Sequence, residues 1–106
     1  MINLLFDIET DGLDATVCHS IVIIDVNSGV KVSCADNQQG YMPIDEGLHM
    51  MSQADILTGH NIMGYDLPQL EKLYGFKFTG EIHDTLLMSR LIWSDLKGDD
   101  FREQKV

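Results

Sequence analysis

Asp7 and Glu9 stand two positions apart at the end of the apolar run Leu4-Leu5-Phe6, within Asp7-Ile8-Glu9-Thr10-Asp11-Gly12-Leu13. Residues i and i+2 of a strand share a face, so both carboxylates point the same way from the edge of a strand that reads as buried. Two like charges at a core edge are costly unless a cation neutralises them. The chemistry this pattern suits is metal binding. Asp66, opening a helical pattern after Gly59-His60-Asn61, can add a third carboxylate. An all-oxygen donor set without cysteine or a histidine pair favours Mg2+ or Mn2+ over zinc. Paired ions of this kind serve phosphodiester cleavage, one preparing the attacking water and the other steadying the leaving oxygen.

An α/β order has to bring these groups together. Residues 2–8 read as a first strand, apolar on both faces apart from Asn3 and therefore central. Residues 20–26 and 30–35 form a hairpin around the turn sequence Asn27-Ser28-Gly29. Pro43 with Asp45-Glu46 opens a short helix carrying Leu48 and Met51 on one side. A brief strand at 55–58 ends at Gly59. A helix follows over 66–74, with Leu67, Leu70, Leu73 and Tyr74 inward and Gly75 as its stop. A strand near 78–83 leads into a helix from Asp84 to about Trp93, and 94–106 reads as a charged tail. The order predicts three antiparallel strands, then strands added in parallel through crossovers, with 55–58 beside the first strand. Ligands of such sheets collect at the carboxyl ends of adjacent parallel strands, where Glu9, His60 and Asp66 fall.

With 106 residues and 44% hydrophobic content the chain reads as one domain. Its net charge of −10, from 17 acidic and 7 basic residues, excludes a basic nucleic-acid groove. A polyanion would have to be held through metal ions or through another chain. Cys18 and Cys34 lack a CxxC or CxxH pattern and read as packed thiols. The N-terminus does not resemble a signal peptide, and no apolar stretch approaches the roughly 20 residues of a membrane span. A soluble, cytoplasmic protein is expected.

The first stretch resembles the first exonuclease motif of the DEDD-type 3′–5′ exonucleases. His60-Asn61-Ile62-Met63-Gly64-Tyr65-Asp66 resembles the second, an Asn-x-x-x-(Tyr/Phe)-Asp pattern. Ile82-His83-Asp84-Thr85-Leu86-Leu87-Met88-Ser89-Arg90-Leu91-Ile92 is similar to the segment that follows, above all in the proofreading domain of family A DNA polymerases of short-tailed bacteriophages. The motifs come in the right order and spacing over most of the chain. The resemblance implies a ribonuclease H-like α/β fold, two Mg2+ or Mn2+ ions, and hydrolysis at the 3′ end of single-stranded DNA. By position, Asp7 would bridge both ions, Glu9 would ligate the one that activates water, and Asp66 would support the second. Asn61, with Thr10 and Tyr65, would contact the substrate, Leu13 would wedge against the 3′-terminal base, and His60 and Asp84 would stand behind the ligands.

The resemblance also implies a third motif, Tyr-x-x-x-Asp or His-x-x-x-x-Asp, on a later helix. No tyrosine follows Tyr74 and no histidine follows His83. The chain therefore reads as a partial, C-terminally truncated exonuclease domain, with an ordered core over 1–93 and the missing groups supplied by a further segment or a second chain. Loss of a ligand and a water-orienting group costs on the order of 10²–10⁴ in rate. The alternative is a non-catalytic module of the same fold that docks on another chain or on DNA ends. Each residue also has a plainer use. Asp66 is a candidate helix N-cap with Gln69 completing a capping box, Asp84 a cap before Thr85, His60 a loop residue and Tyr65 core. Gly59-x-x-x-x-Gly64 imitates a phosphate loop, but Tyr65-Asp66 replaces the Lys-Ser/Thr that one needs.

Overall fold

The computed structural model describes residues 1–88. Five strands form one mixed sheet: β1 (Asn3–Thr10), β2 (Cys18–Asp25), β3 (Lys31–Cys34), β4 (Ile56–Gly59) and β5 (Glu81–Asp84). Their order is β3-β2-β1-β4-β5, so β1 lies at the centre. It pairs antiparallel with β2 and parallel with β4, and β4 pairs parallel with β5. This is the arrangement expected of a ribonuclease H-like sheet. Helix α1 (Ile44–Ser52) connects β3 to β4, and a π-helical turn (Ile62–Asp66) running directly into α2 (Leu67–Tyr74) connects β4 to β5. Residues 85–88 are helical. The remainder of the helix expected to reach Trp93, and the charged tail at 94–106, lie outside the described residues.

Local chemistry fixes the element ends. In the β2–β3 turn the Asp25 carboxylate accepts the Asn27 and Ser28 amides at 2.9 and 3.3 Å, and Gly29 supplies a φ of 77°. Asp36 accepts the Ile44 amide at 3.0 Å and so caps α1 from outside the helix, while Asp45 and Glu46 complement its first turn. Gly75 closes α2 in the left-handed conformation at φ 70°.

The core forms between one face of the sheet and the helices. Leu4, Phe6 and Ile8 of β1 are buried against Ile21 and Ile23 of β2, Leu57 of β4 and the inward side chains Met51 and Leu70. The expectation that both faces of β1 are covered is met on that face alone. Leu5, Asp7 and Glu9 are exposed within the described residues, because β1 alternates strictly and α1 and α2 contribute their apolar side chains to the other face. Tyr74 is 36% exposed and does not join the inner face of α2, where Leu70 is buried and Leu67 and Leu73 pack at the edge. Cys18 and Cys34 are free and buried. Burial pushes the Cys18 thiol up to about 11, as an apolar setting does to any thiol. Among the described residues no helix is long and apolar enough to cross a membrane.

Candidate active site

β4 ends beside the middle of β1, where Leu5 pairs with Thr58, and the groups singled out above leave β1 and the chain after β4 beyond that point. Asp7 and Glu9 leave the exposed face of β1, opposite Val22 and Ser20 of β2. A shift of register between Glu9 and Thr10 bends the end of the strand. Gly59 ends β4 so close to β1 that a Cβ would stand 2.9 Å from the Phe6 carbonyl oxygen and 2.3 Å from Ile62 Cγ2. Only glycine permits this approach, which packs the start of the π-helical turn against the centre of the sheet.

Asp66 is the last residue of that turn and is 5% exposed. Its backbone is already right-handed helical and its side chain makes no capping hydrogen bond, so the capping-box reading does not hold. The extra residue of the π-helical turn rotates Asp66 inward, away from the free amides of α2. Its Oδ2 is buried without a hydrogen-bond partner among the described residues. Desolvation, with the negative charge of Asp7 second, pushes the Asp66 carboxyl up to about 7. A buried carboxylate oxygen with no donor, beside a second carboxylate, is the arrangement a cation relieves.

Asp84, at the end of β5, is equally buried and has the opposite surroundings. It accepts the amides of Asn61 at 2.8 Å, Met63 at 2.9 Å and Leu86 at 3.0 Å. Burial alone would raise its pKa, but the amides of Met63, Asn61, Leu86 and Leu87 outweigh burial and hold the carboxyl below its ordinary value. It therefore caps the helical residues 85–88, as read from the sequence, and also clamps the loop that precedes the π-helical turn. Asn61 adopts φ 58° there, a left-handed conformation that asparagine tolerates. Its amide side chain folds over Gly64, where a Cβ would meet Asn61 Oδ1 at 2.5 Å. His60 shares a hydrogen bond of 3.1 Å with Thr85 through Nδ1, and lines a groove with Asp7, Leu5 and Val22 on the open sheet face.

The remaining predicted residues belong to the loop after β1. Tyr65 is half-buried, its hydroxyl bonded to Thr10 Oγ1 and to the Gly12 carbonyl. Leu13 is 90% exposed at the loop tip. Asp11 organises the loop, accepting the Thr16 amide at 2.9 Å and the Val17 amide at 3.1 Å together with the Thr16 hydroxyl. The Thr16 hydroxyl and those amides hold its carboxyl well below the usual range. Gln69 and Lys72 of α2 also reach this loop, at Ala15 and Asp14. Sequence reasoning missed Asp11 and Lys72 and gave Gln69 another partner. The one available signal was the spacing of Tyr65, Gln69 and Lys72, which places them on one face of a helix.

Among the described residues, no three His, Cys, Asp or Glu side chains stand close enough together to hold a metal ion. The donor chemistry nevertheless fits a hard cation: Asp7 and Asp66 are coupled by charge, one Asp66 oxygen is unpartnered, and Glu9 lies two residues along the same strand face.

Comparison with known proteins relates the chain to DNA polymerases. The DNA-directed DNA polymerase of Escherichia phage T7 is 33% identical over 109 residues, covering 89% of this chain. That of Enterobacteria phage T3 is 32% identical over 112 residues, covering 92% of the chain. The chain is homologous to a segment of the T7-type DNA polymerases. It spans 14% of the length of the first and 15% of the second. No protein-family profile matches it. Among solved structures, the family B DNA polymerase of the archaeon Pyrobaculum calidifontis superposes with a TM-score of 0.49 at 19% identity, over 67% of this chain and 10% of that one.

Proposed function

We propose that this polymerase-related chain is the N-terminal part of a metal-dependent 3′–5′ exodeoxyribonuclease of the proofreading type, working in the host cytoplasm on single-stranded DNA 3′ ends. The observation that carries the reading is the buried Asp66 carboxylate oxygen, without a partner among the described residues, beside the charge of Asp7 at the carboxyl edge of the sheet. Asp7, Glu9 and Asp66 would hold two Mg2+ or Mn2+ ions. Bound there, the ions supply Lewis-acid activation of water and neutralise the phosphate. They also give an acidic protein a way to accept a polyanion.

The chain's own residues do the rest. Asp84 fixes the Asn61–Met63 backbone, so that the Asn61 side chain is presented to the substrate from a rigid loop. Tyr65 and Thr10 tie the end of β1 to the π-helical turn. This holds the two halves of the ligand set in register across 55 residues of sequence. Leu13, projecting from its loop, would wedge against the terminal base. The groups of the third motif would come from a further segment or a second chain.

A second reading is a non-catalytic module of the same fold that docks on another chain or on DNA ends. It is favoured by the absence of a three-carboxylate cluster among the described residues. Degradation of a 3′-labelled single-stranded oligonucleotide in Mg2+ or Mn2+ separates the two. The expected outcome is metal-dependent release of the terminal nucleotide, abolished by EDTA and by the Asp7→Ala/Glu9→Ala double substitution. Release that persists in the double variant sinks the assignment of these carboxylates, and no release even when a chain carrying the third motif is supplied favours the docking module.

A further inference from the structure

Tyr65, Gln69 and Lys72 are spaced i, i+4 and i+7 along the π-helical turn and α2, and all three reach the loop after β1. Tyr65 bonds the Gly12 carbonyl, and Lys72 pairs with Asp14. Between them Gln69 accepts the Ala15 amide through Oε1 at 3.2 Å and donates through Nε2 to the Leu13 carbonyl at 3.5 Å. The backbone on both sides of Asp14 is thus gripped by a single side chain. Ala15 is fully buried and Leu13, two residues before it, is 90% exposed. The loop is anchored at one residue and projects another. Meanwhile the N-terminal end of the same helix carries Asp66.

We propose that Gln69 is a positioning residue for the 3′-terminal nucleotide. Through Ala15 and Leu13 it sets the height and direction of the projecting Leu13 side chain relative to Asp66 at the start of α2. The inference rests on the exonuclease reading for its ligand, a free 3′ end of single-stranded DNA, but its structural part stands alone. A glutamine suits the task because one side chain offers an acceptor and a donor together, matching the free amide and the free carbonyl that flank Asp14. Lysine at 72 adds only an exposed ion pair, which is worth little in water. Gln69 is therefore the rung that matters.

The test compares two forms of one sequence, a linear 5′-fluorescein single-stranded oligonucleotide and a labelled covalently closed circle, both in Ca2+. Gln69→Ala is expected to weaken binding of the linear form by about three- to tenfold, the worth of one hydrogen bond. Binding of the circle should stay unchanged. A merely destabilised protein would lose affinity for both. Gln69→Glu keeps the acceptor for the Ala15 amide but sets a carboxylate oxygen against the Leu13 carbonyl, so it should keep that amide protected from hydrogen exchange and restore only part of the loss. In a double-mutant cycle, Gln69→Ala should cost nothing further once Leu13→Ala is present. Equal loss on both DNA forms, or full additivity with Leu13→Ala, overturns the positioning role. If Leu13→Ala weakens end binding while Gln69→Ala does not, the positioning role fails and the exonuclease reading stands. If the unaltered protein does not distinguish the linear form from the circle, that reading and the inference fail together.

Discussion

Asp66 and Asp84 are equally screened from solvent, 5% and 4% exposed, yet the protein treats them in opposite ways. Asp84 is surrounded by backbone amides and is held ionised. Asp66 has an oxygen with no donor among the described residues, a carboxylate for a neighbour, and a pKa raised to about 7. The first arrangement is complete within the chain and builds structure. The second costs stability as it stands, and a fold retains such a group where something outside the chain completes it. Burial alone does not distinguish a structural carboxylate from a functional one. The inventory of donors does.

The largest expected effect breaks the satisfied member of the pair. Asp84→Ala leaves the amides of Asn61, Met63 and Leu86 without their acceptor, two of them at the start of the π-helical turn. Charge-assisted hydrogen bonds of this kind are worth about 1.5–3 kcal/mol each, and they are not additive. A loss of about 3 kcal/mol or more in urea denaturation is expected. A loss under about 1 kcal/mol would show that the loop holds itself and that the contrast with Asp66 carries no energetic meaning.

The unsatisfied member should respond with the other sign. Asp66 binds its proton more tightly folded than unfolded, so its contribution to stability is fully present below the ordinary value near 3.8 and is lost as pH rises through about 7. Asp66→Asn removes that loss. In EDTA at pH 7.5 the variant should be more stable than the parent by about 2 kcal/mol, from a shift of a few units at 1.36 kcal/mol each, discounted for the new amide's own needs. The advantage should shrink steadily as pH falls towards 4. Urea denaturation of both proteins across that range checks it, and a destabilised Asp66→Asn at pH 7.5 contradicts the description of an orphaned carboxylate.

How far the sequence was legible follows the same division. The apolar run of β1, the Asn27-Ser28-Gly29 turn and the chain direction rules placed the five strands along the chain and the fourth beside the first, because each is a local signal or a general constraint. The Asp7/Glu9 pair was visible for the same reason: a strand's period of two needs no knowledge of the rest of the fold. Individual side-chain hydrogen bonds across a long separation were not readable. The bond from Gln69 to Ala15 spans 54 residues, and the local alternative, a capping box with Asp66, was the simpler reading of the same glutamine. The π-helical turn at Ile62–Asp66 leaves no periodic signature either, since one inserted residue looks like an ordinary helix start. It is that residue which turns Asp66 from a cap into an inward-facing group. Tyr74 was placed inside by periodicity, but it sits in the last turn, beside Gly75, and stays 36% exposed.

The smallest expected effect sharpens the comparison most. If Asp66 is completed from outside by a cation, then Mg2+ or Mn2+ should stabilise the folded chain by mass action. Millimolar affinity at 10 mM ion corresponds to about 1.4 kcal/mol, a rise of several degrees in Tm for a domain of this size. Asp66→Asn and Asp7→Asn should each abolish the rise, whereas Asp84→Asn, though less stable at the outset, should keep it. Mn2+ should act at lower concentration than Mg2+, in line with the general order of divalent affinities and the poorer dehydration of Mg2+. The increment should also fall with pH below about 7, because a protonated Asp66 must release its proton before it can ligate. An equal rise in the Asp66→Asn protein would place the ion on the acidic surface at large, whose net charge of −10 attracts divalent cations without any site. A rise confined to proteins that retain both Asp7 and Asp66 makes the orphaned oxygen a ligand.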